Sequence, residues 1–145
     1  MRTFSADHYF INPQTGKYEF DPSKLGEAHG QCLRGFAGAV AQAPQSVTIL
    51  RGIPGAGKST WVRDNEPNLD MVVDNTSITV VEIAPYFALA LAYGVPCEVV
   101  TIMADPEVAA RRNSHGVPAS TVQRMAETLT KENQNFPRFW KHRVI

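Results

Sequence analysis

The chain has 145 residues, with 14 basic and 14 acidic side chains, enough for one substantial core and too few for two ordinary domains. Balanced charge excludes a global field that would draw the chain onto nucleic acid or anionic lipid, so any nucleic-acid contact must be local. The longest apolar stretch, 84–95, is broken by Pro85 and Gly94 and falls short of the ~20 residues that span a bilayer. With no apolar core in a leader-like N-terminus, a cytoplasmic protein with no membrane partner is expected.

In chain order, Arg2 to Ser5 is a weak strand candidate, and Asp7 follows it in the run Ser5-Ala6-Asp7-His8-Tyr9-Phe10. Asn12 to Lys17 is turn-rich. Asp21-Pro22 offers an N-cap and a proline at the first helical position. Leu25, Ala28, Cys32, Phe36, Ala39 and Val40 then recur at helical spacing, predicting an amphipathic helix over 22–42. Val47 to Leu50, Met71 to Val73 and Val99 to Met103 are apolar without alternation, the pattern of parallel strands buried on both faces. Thr79 and Glu82 suggest a capping box, but Pro85 predicts a turn there and a helix only from about 85 to 93, ended by Gly94. Asp105-Pro106 starts another helix, with Arg111 and Arg112 near its end. Ser120 and Gln123 suggest a box for a last helix of about 119–130. Cys32 and Cys97 have no metal-type spacing and read as reduced core thiols. The C-terminal aromatics Phe136, Phe139 and Trp140, set among basic residues, are expected to pack onto the domain, although such a mixture can also stack nucleobases. Strand and helix alternate, so a doubly wound α/β sheet is expected, with ligands at the carboxyl ends of its strands.

Gly52-Ile53-Pro54-Gly55-Ala56-Gly57-Lys58-Ser59 fits G-x-x-x-x-G-K-[ST] between a strand and a helix, which is the context a phosphate-binding loop requires. Glycines let successive backbone N–H groups converge, and the following helix dipole favours an anion there. Gly52, Pro54, Gly55, Ala56, Gly57, Lys58, Ser59 and Thr60 are therefore the expected nucleotide-binding residues. Lys58 would reach the β- and γ-phosphates, and the Ser59 hydroxyl would ligate Mg²⁺. Asp74, at the tip of the Met71 strand, fits a role holding a magnesium-bound water, or an Asx-turn that caps the next segment. By position, Asp7 can take a proton from an attacking hydroxyl or serve as a turn or cap residue. Arg112 either complements its helix dipole or, on a lid over 111–118 hinged at Gly116, reaches a transferring phosphoryl group. His115 in that loop either touches phosphate or, as is usual for a lone loop histidine, is solvated.

Four motifs carry a family resemblance: the loop at 52–60, Ser-Ala-Asp-His-Tyr-Phe at 5–10, Val-Val-Asp-Asn-Thr at 72–76, and Arg-Arg-Asn-Ser-His-Gly-Val-Pro at 111–118. Over nearly its whole length the chain resembles the P-loop kinases of the phage-type polynucleotide 5′-kinase group. The resemblance implies a three-layer P-loop NTPase-type sandwich with a mainly parallel sheet, ATP or GTP with Mg²⁺, and a single-stranded nucleic-acid 5′ end as acceptor. It implies Asp7 as general base and Arg112 as the lid arginine, beside Lys58 as a catalytic cation. An arginine that grips the acceptor phosphate in the phage enzyme has an aromatic near Phe10 in its place here. Acceptors of zeta-toxin-like kinases (small molecules or nucleotide sugars), an ATP-binding module with slow hydrolysis, and an engineered form kept for its fold are the alternatives.

Block order departs from that family. Its members reach the aspartate strand after the phosphate loop, whereas here block 1–43 precedes block 44–66 within the single domain. The expected outcome is a rewired connectivity on an unchanged sheet, with the Asp74 strand between the Arg2 and Val47 strands and Asp7 across the cleft from the loop.

Overall fold

A computed structural model describes residues 1–145. Five strands, β1 (Arg2–Phe4), β2 (Val47–Arg51), β3 (Met71–Asp74), β4 (Cys97–Thr101) and β5 (Lys141–Val144), form one sheet in the order β1-β3-β2-β4-β5. Every pairing is parallel, so all carboxyl ends share one rim. Five α-helices accompany them: α1 (Leu25–Val40), α2 (Lys58–Asn65), α3 (Val80–Ala92), α4 (Pro106–Arg112) and α5 (Ala119–Gln134). No helix is long and apolar enough to cross a membrane.

The sheet is buried on both faces, which explains its unalternating apolar strands. Val47, Ile49, Met71, Val73 and Val99 pack against Phe36 of α1 and Ile83 and Phe87 of α3. Their sequence neighbours Leu50, Val72 and Val100 face the other way, toward Ala109 of α4 and Val122 and Leu129 of α5. The result is three layers, helices on sheet on helices. β3 sits between β1 and β2, with Thr3 and Thr48 both registered on Val72. That is the order expected from the sequence.

Several boundaries differ from expectation, each for a local reason. Asp21 caps as expected by accepting from the Ser23 N–H, but the first turn, Pro22–Lys24, is a 3₁₀ turn before α1 begins. α3 starts at Val80 rather than near Pro85, because both halves of the Thr79–Glu82 capping box form. Pro85 supplies no N–H to the carbonyl of Val81, but Val81 is 79% exposed, so the helix tolerates the missing bond on its solvent side. Ser120 and Gln123 form no box: α5 begins at Ala119 behind Pro118, without a side-chain cap. β4 ends at Thr101, so Met103 lies beyond it and is exposed. Gly94 ends α3 as expected, at φ +67°.

Candidate functional site

Parallel strands put three chain segments on one rim, and a cleft of about 440 Å³ opens between them. The loop after β2 contributes Pro54 to Thr60, the end of β3 contributes Asp74, and the turn after β1 contributes Asp7. Arg112, the last residue of α4, closes one side together with Asn113 and His115. Of the residues expected at the site, Gly52 alone does not line the cleft. It sits underneath, where its N–H donates to the Thr76 carbonyl at 3.0 Å and an added Cβ would meet the Ile102 carbonyl at 3.0 Å.

The loop's conformation depends on two glycines. Gly57 caps α2 at φ +101° and Gly55 turns at φ +81°, a region that penalises any residue with a Cβ. Gly55 is also packed so closely on α4 that a Cβ would lie 2.1 Å from the Ala109 carbonyl oxygen. Gly55→Ala is therefore expected to destabilise the fold by at least about 1–2 kcal/mol from backbone strain alone, lowering the melting temperature by about 3–8 °C. A calorimetric or circular-dichroism melt checks this. No hydrogen bond within the protein uses the N–H of Gly55, Gly57, Lys58 or Ser59. Together with the start of α2, these donors can receive an anion.

Two charges face one another across the loop. The Lys58 ammonium donates to the Gly52 carbonyl at 3.1 Å and reaches the Ile53 carbonyl at 3.5 Å. Burial lowers its pKa, while Asp74 and then Asp7 act in the opposite sense. Burial raises the pKa of Asp74, and the Lys58 charge partly offsets it. No hydrogen bond to a following backbone N–H engages the Asp74 carboxylate, so the Asx-turn reading has no support in the geometry.

No group of three or more His, Cys, Asp or Glu side chains is arranged to hold a metal. The Ser59 hydroxyl and the Asp74 carboxylate supply hard oxygen donors on the cleft wall. Such a sparse oxygen set fits Mg²⁺, which keeps several waters and takes its remaining ligands from phosphate.

Asp7 stands on the other side of the cleft, and it is not a cap. Ser5 performs that task, its hydroxyl accepting from the Asp7 N–H at 3.2 Å. The Asp7 carboxylate is engaged elsewhere. Tyr18 donates its hydroxyl to Oδ1 at 3.1 Å, and His115 Nδ1 lies 3.5 Å from Oδ2. Tyr18 and His115 stack, with centroids 4.5 Å apart and an interplanar angle of 15°. His115 is exposed in its loop, as expected, and is also a partner of Asp7. Burial and the neighbouring Asp7 charge push the Tyr18 phenol up to about 12.

Sequence reasoning missed Tyr18, and it missed Arg51 altogether. Arg51 ends β2 just before the loop and is fully buried. Its guanidinium donates to the carbonyls of Ser77 and Ile78, to the Thr101 hydroxyl and to Asn133, and its face covers Phe136 at 5.2 Å. It ties the segment after β3, where Ser77 is held at φ +48°, to the base of the loop. A cation between an apolar strand and a glycine loop was the available signal.

No protein-family model matches the chain.

Proposed function

We propose that the protein is an ATP-dependent phosphotransferase that moves the γ-phosphate to a hydroxyl acceptor, with a polynucleotide 5′-OH as the leading acceptor class. One observation carries the reading: a glycine-rich loop with free N–H groups and Lys58 faces a carboxylate, Asp7, across a single cleft. The loop suits a triphosphate, of ATP or equally GTP, and Asp7 suits the approach of an acceptor from the opposite wall. Ser59 and Asp74 would hold Mg²⁺, which when bound neutralises charge on the terminal phosphates.

In this reading the acceptor oxygen attacks the γ-phosphorus and forms the new P–O bond, while the bond from that phosphorus to the β-bridging oxygen breaks. Asp7 takes the acceptor's proton, and the nucleoside diphosphate leaves with the electron pair of the broken bond. Lys58 and Arg112 spread the charge of the transferring group. Arg112→Ala is expected to lower turnover roughly 10- to 100-fold while leaving nucleotide affinity within about threefold, because a group that engages the transition state acts on kcat. Parallel measurement of nucleotide Kd and single-turnover rate checks it.

The strand order supports kinship with the phage-type kinases through a rewired chain. β1 connects through α1 to β2 past β3, and α2 returns to β3. Exchanging blocks 1–43 and 44–66 gives the family's order on the same spatial sheet. A second reading, a small-molecule or nucleotide-sugar hydroxyl as acceptor, is favoured by the surroundings of Asp7. Tyr18 and His115 meet its carboxylate, and Arg112 is the one arginine lining the cleft.

Incubation with γ-labelled ATP, with and without 5′-hydroxyl oligonucleotides or hydroxylated small molecules, separates these readings. Label on the oligonucleotide supports the leading acceptor, label on a small molecule supports the second, and free phosphate alone points to a slow hydrolytic nucleotide-binding module.

A further inference from the structure

The segment between β1 and α1 folds back on itself for a visible purpose. Asn12 and Lys17 close a turn, the Asn12 N–H donating to the Lys17 carbonyl at 2.8 Å, with Gly16 at φ +71°. Ile11 and Tyr18 then pair as an isolated antiparallel bridge. Phe10, buried at the start of this return, meets Tyr18 edge-on at 6.2 Å and Phe20 at 5.1 Å. The bridge, the turn and the aromatic packing together fix where the Tyr18 ring stands, over Asp7.

A carboxylate on a surface turn can rotate about two bonds, and Asp7 has roughly half of its side chain exposed, at 48%. Catalysis by proton abstraction needs one oxygen held toward the acceptor. From the hydrogen bond and the anchored ring, we infer that Tyr18 is the positioning residue for Asp7. It fixes Oδ1 so that Oδ2 faces the acceptor hydroxyl, and its ring is the platform on which the lid residue His115 docks. The acceptor hydroxyl then competes with His115 for Oδ2, which couples acceptor entry to displacement of the 111–118 lid. This rests on the transferase reading above. Tyr18 does not line the nucleotide cleft, so its effect is separable from nucleotide binding.

Tyr18→Phe removes the donated hydrogen bond and keeps the stacked ring. The test compares the parent, Tyr18→Phe, Asp7→Asn and the double variant for transfer of label from γ-labelled ATP to a 5′-hydroxyl oligonucleotide, together with Mg·ATP affinity and melting temperature. The expected result for Tyr18→Phe is a roughly tenfold fall in kcat, the size of one lost hydrogen bond to a charged group, with unchanged KM for ATP and an unchanged melt. The double variant should be no slower than Asp7→Asn alone, since a positioning group has nothing left to position. Multiplicative losses in the double variant overturn the proposal, because they make Tyr18 act independently of Asp7. Full parental rate in Tyr18→Phe overturns it as well. Parent protein that labels no oligonucleotide overturns the transferase reading for that acceptor, and the positioning role falls with it. A melting temperature for Tyr18→Phe lowered as far as that of a Tyr18→Leu control also overturns it, because the hydroxyl is then a structural group and the lost rate follows from a disturbed fold.

Discussion

Lys58→Ala is expected to weaken Mg·ATP binding about 10- to 150-fold, the equivalent of losing about 1.5–3 kcal/mol of charge-assisted hydrogen bonding to phosphate. The fold should persist. Lys58 donates only to the carbonyls of Gly52 and Ile53; the Ile53 carbonyl keeps the Ala56 N–H, so one acceptor, the Gly52 carbonyl, loses its protein partner and no core side-chain packing is lost. Isothermal calorimetry with Mg·ATP, beside a melt of the same sample, measures both. Undiminished affinity in the variant excludes the 52–60 loop as the nucleotide site.

Asp7→Asn is expected to produce the opposite split. Transfer to the acceptor should fall about 10²- to 10⁴-fold, the usual share of a positioned general base, while Mg·ATP affinity stays within a fewfold of the parent. Asn preserves shape and can still accept from Tyr18, so the loss reports the missing proton acceptor rather than a collapsed turn. Ser5, which caps that turn, is untouched. Single-turnover transfer from labelled ATP gives the rate. A variant that transfers at the parental rate reduces Asp7 to a surface turn residue.

Elements with strong local signals were legible in the sequence, and those set by tertiary context were not. Apolar runs at Val47, Met71 and Val99 are unalternating because both sheet faces are covered, and that pattern survives in a single chain. β5 was invisible for the converse reason: it reads Lys141-His142-Arg143-Val144 and pairs with β4 alone at the sheet edge, where charges are tolerated. Arg143 and Lys141 meet Glu98 of the neighbouring strand at 3.1 and 3.7 Å, contacts between residues far apart in the chain. The C-terminal aromatics divided. Trp140 stacks on Phe87 at 4.6 Å and Phe136 on His142 at 3.8 Å, as packing required, whereas Phe139 remains 79% exposed.

At the cleft, the glycine loop announced itself through composition and spacing, and Asp7, Asp74 and Arg112 through their places at element ends. Tyr18 could not be found that way, and neither could the pairing of His115 with Asp7. That partnership joins positions 7, 18 and 115 through a back-folded turn and the loop after α4, neither of which has a periodic pattern. Cys32 likewise looked like an inert core thiol, and it is buried and free. It also meets the Tyr86 hydroxyl at 3.2 Å, an interior contact that no spacing rule suggests.

In the proposed function, one cleft holds a triphosphate on the 52–60 loop and presents its terminal phosphate to Asp7. A crystal structure with the β,γ-imido analogue of ATP and magnesium tests it most directly. The analogue's β- and γ-phosphates are expected on the N–H groups of Gly55 to Ser59 and on Lys58, with magnesium on the Ser59 side and the γ-phosphate turned toward Asp7 and within reach of Arg112. Phosphates bound away from the loop, or a γ-phosphate directed away from Asp7, would contradict it.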